Sequence, residues 1–278
     1  MSQTSAKIVL DSINPTGQRL TTLQIRTPKW LLSEINTHRV ISRNYNSSRA
    51  IPSKAFRQLS TYTPPQFLSN KPGMQGGEEL TGFDLALAKF GWGFGRVTAK
   101  ITHQLLNQSN LHKQYTNGVI SSTTWDNFFA QRCHKDAQPD FQDLACQIRE
   151  ELEWSTPQKL DRGEWHTPFI DPFNHEEKLE MKEKRYNPLL ISAARVARVS
   201  YGYLTGEDGR NIFDLEKDYR RGCMLLDAEV KHLSPFEMVA RAVGDDMGTG
   251  NFQGWYQVRK EIETGEESDI HILKHGWY

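Results

Sequence analysis

Cysteine is scarce: Cys133, Cys146 and Cys223 are the only three in 278 residues, with no C-x-x-C spacing. That excludes a disulfide framework and a cysteine-built zinc site, and fits a reducing compartment. Net charge is absent too. Thirty-four Lys and Arg balance 34 Asp and Glu, so no whole-molecule field draws the chain onto a nucleic-acid polymer or an anionic membrane, and any anion site has to be local. No apolar run approaches the ~20 residues of a transmembrane helix. At the N-terminus one lysine precedes a short apolar stretch broken by Asp11, unlike a signal peptide, so the expected location is the cytoplasm.

What is present reads as an α+β chain, a mixed or antiparallel sheet with long flanking helices. Residues 6–10 and 20–26 are β-type runs around the turn signal Asn14-Pro15-Thr16-Gly17, which predicts a hairpin. Pro28 opens helical spacing of Trp30, Leu31, Ile35 and His38 over 29–39. Residues 60–77, with three prolines and three glycines, read as a surface loop or substrate lid. Thr81 is placed to cap a helix running through Leu106, with Phe83, Leu85, Leu87, Phe90, Phe94, Val97 and Ile101 as its apolar stripe. Gly91, Gly93 and Gly95 lie inside it. A phosphate-binding glycine turn needs a strand before it and a helix opening after it, so close helix packing or a kink is expected there instead.

Further helices are expected over 122–132 and 138–152, the second ending before Pro157. Residues 155–188, Pro-rich and then charged, read as a connector. Residues 189–201 read as a helix running into a strand, 213–226 as an amphipathic helix, and 232–243 as a turn leading into a strand.

The densest polar cluster is 37–49, with three arginines, one histidine, three serines, two asparagines and no acid. Arginine forks, hydroxyls and amides without a competing carboxylate make a local anion trap. The alternative is a solvated basic loop.

His38-Arg39 followed by Ser42, Asn44, Ser47 and Arg49 resembles the R-H-R-x7-S signature of the flavin-dependent thymidylate synthases. Ser192-Ala193-Ala194-Arg195-Val196-Ala197-Arg198-Val199-Ser200-Tyr201 is similar to that family's A-A-R-V-S-Y element, and His232-Leu233-Ser234-Pro235-Phe236-Glu237 to its H-x-S/T-P-F-E element. Asn127-Phe128-Phe129-Ala130-Gln131-Arg132, followed by Ala137-Gln138, is similar to its N-F-x-x-x-R-x4-A-Q helix. The order differs from the usual member, in which the second and third elements precede the signature. The resemblance therefore implies a single, circularly permuted domain, 1–154 matching the family's central and C-terminal part and 189–260 its N-terminal part, joined by 155–188. Residues 251–260 resemble the run that normally leads into the signature, so one ancestral segment stands at both ends.

The resemblance implies an enzyme that transfers a one-carbon unit from 5,10-methylenetetrahydrofolate to C5 of a deoxypyrimidine monophosphate, with FAD and NADPH and no cysteine nucleophile, most simply dUMP to dTMP. It implies a homotetramer with shared active sites. On this basis His38, Arg39, Asn44, Asn127, Ser234 and Glu237 would hold the flavin, and Ser47, Ser48 and Arg49 the nucleotide. Arg132 would contact the pyrimidine carbonyls and stabilise charge growing on the ring, which makes it the candidate catalytic group. Glu34 stands where the family often has glutamine, on the substrate side. The sequence departs from the pattern at Thr37 and Tyr45, and 111–122 offers no phosphate-binding arginine. Gln257 and Arg259 are the expected substitutes, Gln257 toward substrate and Arg259 toward cofactor. Other readings stay open: an Arg132 ion pair with Asp126 or Asp136, a capping role for Glu237, a dCMP substrate, a hydroxymethyl product, or a flavin- or nucleotide-binding subunit without turnover. His232 and His134 lack metal-ligand spacing, and no metal is expected.

Overall fold

Asn14 makes the first chain reversal in the computed structural model. Its Oδ1 accepts from the backbone N–H of Thr16 at 3.2 Å and of Gln18 at 2.8 Å, an Asx turn. Gly17 takes a φ of 88°, the left-handed region that glycine enters without strain. The expected hairpin follows, β1 (Ser5–Ile13) into β2 (Arg19–Pro28). The structure describes residues 4–37, 42–58, 61–72, 76–121, 125–128, 139–201, 213–229, 231–244 and 252–265.

Helix and strand are mixed along the chain. After a 3-10 turn at Lys29–Leu31 come α1 (Leu32–Ile35), α2 (Ser53–Gln58), α3 (Gly82–Gln108), α4 (Lys113–Ser121), β3 (Trp125–Phe128) and α5 (Pro139–Trp154). Then follow β4 (Gln158–Lys159), β5 (Trp165–His166), α6 (His175–Glu183), α7 (Pro188–Tyr201) and α8 (Leu215–Asp227). A 3-10 helix at Ser234–Met238, β6 (Ala240–Ala242), β7 (Trp255–Gln257) and α9 (Val258–Thr264) complete the described elements. One sheet has the order β3-β2-β1-β4 and the other β5-β6-β7. The chain divides into two compact units, one of Met1–Lys7, Gln24–Arg39 and Tyr45–Glu153, the other of Ile8–Leu23, Val40–Asn44 and Trp154–Tyr278.

In the first unit, α3 is held by one face. Trp92 Nε1 donates to the Tyr62 carbonyl at 3.0 Å, Arg96 Nη1 to Thr63 Oγ1 at 2.6 Å, and Ala99 packs on buried Ile51. Thr81 occupies the N-cap position but makes no side-chain cap bond. Of the expected apolar stripe only Leu85 is half-buried; Phe83, Leu87, Phe90, Phe94, Val97 and Ile101 lie on the other face and are exposed, not core. The helix continues through Gly91, Gly93 and Gly95, and a methyl group added at any of them would meet nothing within 4 Å. The close packing expected at these glycines is therefore absent among the described residues. The helix expected over 122–132 is also corrected. Trp125–Phe128 forms β3, paired antiparallel with β2 in the register Ile25↔Phe128, Arg26↔Asn127; the bulky aromatics suit an extended edge, and β2 supplies the partner backbone.

In the second unit, α7 is helical throughout Pro188–Tyr201, so no strand begins inside it. Leu189, Leu190 and Ala193 pack with Leu226, Phe236, Val239, Val258 and Ile262. A Cβ on Gly222 of α8 would lie 2.5 Å from the Leu190 carbonyl oxygen, so glycine is what lets α8 approach α7. Arg195 and Arg198 converge on fully buried Asp218, at 3.1 Å and 2.5 Å, and Glu177 of α6 closes on Arg195. Residues 155–188 are not a bare connector: β4, β5 and α6 lie there, and Ile170 and Met181 join Ile191 in a buried cluster. Their wide spacing gives no periodicity to read.

His166 is fully buried between two hydroxyls, Nδ1 at 2.8 Å from Ser12 Oγ and Nε2 at 2.8 Å from Thr22 Oγ1. Burial pushes its pKa down to about 3 from 6.5, with Asp11 opposing weakly. The unfolded chain therefore binds a proton near pH 6.5 that the folded chain refuses until about pH 3. Stability is complete above the unfolded pKa and falls as the medium is acidified, by at most about 1.4 kcal/mol per pH unit from this group. Urea titrations of the wild type and His166→Asn between about pH 4.5 and 6.5 should show that slope reduced in the variant; equal slopes would contradict a neutral buried imidazole.

Candidate functional site

Within the first unit, the serine-rich end of the basic cluster folds as a turn. The Ser47 carbonyl accepts from the N–H groups of Ala50 at 3.0 Å and Ile51 at 3.1 Å, and Ser47 Oγ accepts from the Arg49 N–H at 3.3 Å. Ile51 is buried and Arg49 is exposed, so burial of the isoleucine turns the arginine outward. Among the described residues no carboxylate pairs with Arg49.

α4 clamps this turn from the side. Asn117 is fully buried; its Nδ2 donates to the carbonyls of Ser48 at 2.8 Å and Ile51 at 3.0 Å, and its Oδ1 meets His103 Nε2 at 3.1 Å. Because the amide oxygen only accepts, His103 donates from Nε2. One turn earlier, Lys113 Nζ donates to the Ala50 carbonyl at 3.0 Å, and Thr116 Oγ1 lies 3.2 Å from Ser53 Oγ. The segment 111–122 has no arginine but brings a lysine ammonium to this turn. Ser47, Ser48, Arg49 and Lys113 thus combine two cations with hydroxyls on a braced backbone, a donor set suited to a phosphate group. Sequence reading missed Lys113 and Asn117. A polar residue four positions after a lysine on a short helix was the available signal.

Within the second unit, Phe236 is fully buried under the 3-10 helix and fixes its rotation. At three residues per turn, Ser234 and Glu237 share the opposite face. Glu237 pairs with Arg259 Nη1, and Arg259 Nε donates to Glu263 at 2.7 Å. The hydrogen bond that Arg259 donates to Glu263 raises the Arg259 pKa further, with burial opposing and Glu237 adding to it. Gln257 Nε2 donates to the Glu237 carbonyl at 2.9 Å. Glu237, Gln257 and Arg259 therefore come together, and the guanidinium is bracketed by two carboxylates. Asn44 is engaged elsewhere: its Nδ2 donates to the Val196 carbonyl at 2.9 Å and its Oδ1 accepts from Ser200 Oγ at 3.0 Å. Asn44, Gln257 and Arg259 are thus each hydrogen-bonded within the protein.

Glu34 lies in α1, exposed, its carbonyl accepting from Thr37 Oγ1 at 2.6 Å. Asn127 stands in β3 opposite Arg26, not on a helix. His38, Arg39 and Arg132 lie outside the described residues.

No protein-family model matches the chain, and no curated protein does. Among solved structures, the UMP/dUMP methylase PolB from Streptomyces cacaoi bound with 5-Br UMP is similar at a TM-score of 0.45 and 15% identity, over 55% of this chain and 89% of that one. The same protein bound with 5-Br dUMP gives 0.43 and 14%, over 55% and 90%. Likeness of this degree assigns neither fold nor chemistry to the chain.

Replacing Asn117 tests the clamp. Asn117→Ala leaves two carbonyls and an imidazole N–H without their buried partner and should lower the unfolding free energy by about 3 kcal/mol in urea titration. Asn117→Asp keeps the shape but turns a carboxylate oxygen toward two carbonyl oxygens, so it should cost at least as much. An Asp variant as stable as the wild type would contradict the assigned amide orientation.

Proposed function

We propose that this chain catalyses flavin-dependent transfer of a one-carbon unit from methylenetetrahydrofolate to C5 of a deoxypyrimidine monophosphate, most simply dUMP to dTMP. The observation that carries the reading is the braced turn at Ser47–Arg49 with Lys113 beside it. Its position coincides with the segment that the flavin-dependent thymidylate synthase signature reserves for the nucleotide. In this reading Arg49 and Lys113 neutralise the substrate phosphate and the Ser47 and Ser48 hydroxyls orient it; each charge-assisted bond contributes about 1.5–3 kcal/mol. Arg132, outside the described residues, keeps its proposed place at the pyrimidine carbonyls, where a guanidinium stabilises negative charge as C5 becomes nucleophilic.

The flavin, when bound, would supply the hydride chemistry that the side chains do not. Its binding rests on the resemblance, which assigns it to His38, Arg39, Asn44, Asn127, Ser234 and Glu237, with Arg259 as the expected substitute; Asn44, Glu237 and Arg259 also bond within the protein. In the same reading the chain is permuted, 189–260 corresponding to the family's N-terminal part and 1–154 to the rest. The bracketing of Arg259 by Glu237 and Glu263 favours one alternative, a nucleotide-binding chain without flavin or turnover.

Purified protein incubated with NADPH, methylenetetrahydrofolate and either dUMP or dCMP should yield a nucleotide heavier by one CH2, a methyl group having replaced the C5 hydrogen, from a yellow protein that NADPH bleaches. A colourless protein that binds dUMP without altering its mass would select the alternative. Failure to bind either nucleotide would overturn both.

A further inference from the structure

We infer that α3 pairs with α3 of a second copy of this chain. The outward residues Phe83, Leu87, Phe90, Phe94, Val97 and Ile101 are between 55% and 79% exposed. Their spacing alternates four and three, the heptad seam along which two helices bury each other, and not the broader stripe of a helix laid on its own core. The core-facing side of α3 is already occupied through Trp92, Arg96, Ala99 and His103, so the seam has no partner within the described residues.

Three observations select a second copy as the occupant. The six side chains offer on the order of 700 Å², close to the ~800 Å² that each partner of a standard interface contributes, along a helix about 40 Å long. An antiparallel arrangement centred at Trp92 makes the seam self-complementary: Phe90 faces Phe94 of the second copy, Leu87 faces Val97, and Phe83 faces Ile101. Phe90 and Phe94 already stack, with ring centroids 6.2 Å apart at 19°. The seam and its flanking positions carry only two charges, Asp84 and Lys100, at opposite ends. Antiparallel pairing brings each to the end where the other copy carries the opposite sign, whereas parallel pairing sets like beside like.

Gly91 and Gly93 flank the centre of the seam, where nothing in the chain's own described structure requires glycine. They cost helix stability relative to alanine. At the crossing point of two helices they allow the backbones to approach closely. A two-fold pair of this kind is isologous and closes on itself.

Sedimentation velocity of the full chain at about 50 µM should give twice the 32.0 kDa chain mass or a multiple of it. Phe94→Glu, at a position exposed in the single chain, should retain the helical circular dichroism and weaken self-association about thirtyfold or more. Gly93→Gln separates the two roles of the glycine: it should raise the thermal midpoint of the dissociated chain while weakening association. A monomeric wild type, or association unaffected by both substitutions, would overturn the inference.

Discussion

The carboxamide of Asn117 has two donors and one acceptor to place in a dry interior, and the turn at Ser47–Ile51 is shaped by where they go. Two backbone carbonyls take the donors and the His103 ring supplies the proton for the acceptor. A buried polar group without these partners costs more than the bonds themselves contribute. The turn therefore has one position relative to α4, and that position leaves Arg49 in solvent and Lys113 alongside. A phosphate-binding loop requires this: donors held still before the ligand arrives, so that little ordering cost accompanies binding.

Arginine–carboxylate pairs occur in both units, exposed in the first as Arg149 with Glu153 and more deeply buried in the second. In the second unit arginines meet carboxylates. Arg195 and Arg198 close on Asp218, Arg241 on Glu261, and Arg259 on Glu237 and Glu263. Such pairs lock α7, α8 and α9 in place but leave little field for an external anion. The stretch 37–49 contains no acid, and among the described residues no carboxylate pairs with its Arg49. The proposed anion affinity rests on where carboxylates are missing.

Much of the local structure was legible in the sequence. Asn14 to Gly17 announced its turn chemically, and α5 follows the helix expected over 138–152. Other features were set by partners that one-dimensional pattern does not contain. β3 is a strand because β2 offers an unpaired edge; residues 155–188 are structured because Ile170 and Met181 find Ile191 from a distance. Periodicity located the apolar face of α3 but said nothing of what covers it. Lys113 reaches the basic cluster from 63 residues away along the chain, beyond any local window. For the candidate site, the signature pointed to the serine and arginine segment, which folds as a turn, whereas the pairing of Arg259 with Glu237 and Glu263 depends on tertiary contacts.

Calorimetric titration of dUMP and of deoxyuridine into the wild type and Arg49→Ala addresses the central claim, that this braced turn holds a nucleotide phosphate. The account predicts that the wild type prefers dUMP strongly and that Arg49→Ala reduces this preference by about tenfold to a hundredfold, the equivalent of one charge-assisted bond, while deoxyuridine affinity is unchanged. An identical preference for dUMP in both proteins would contradict it.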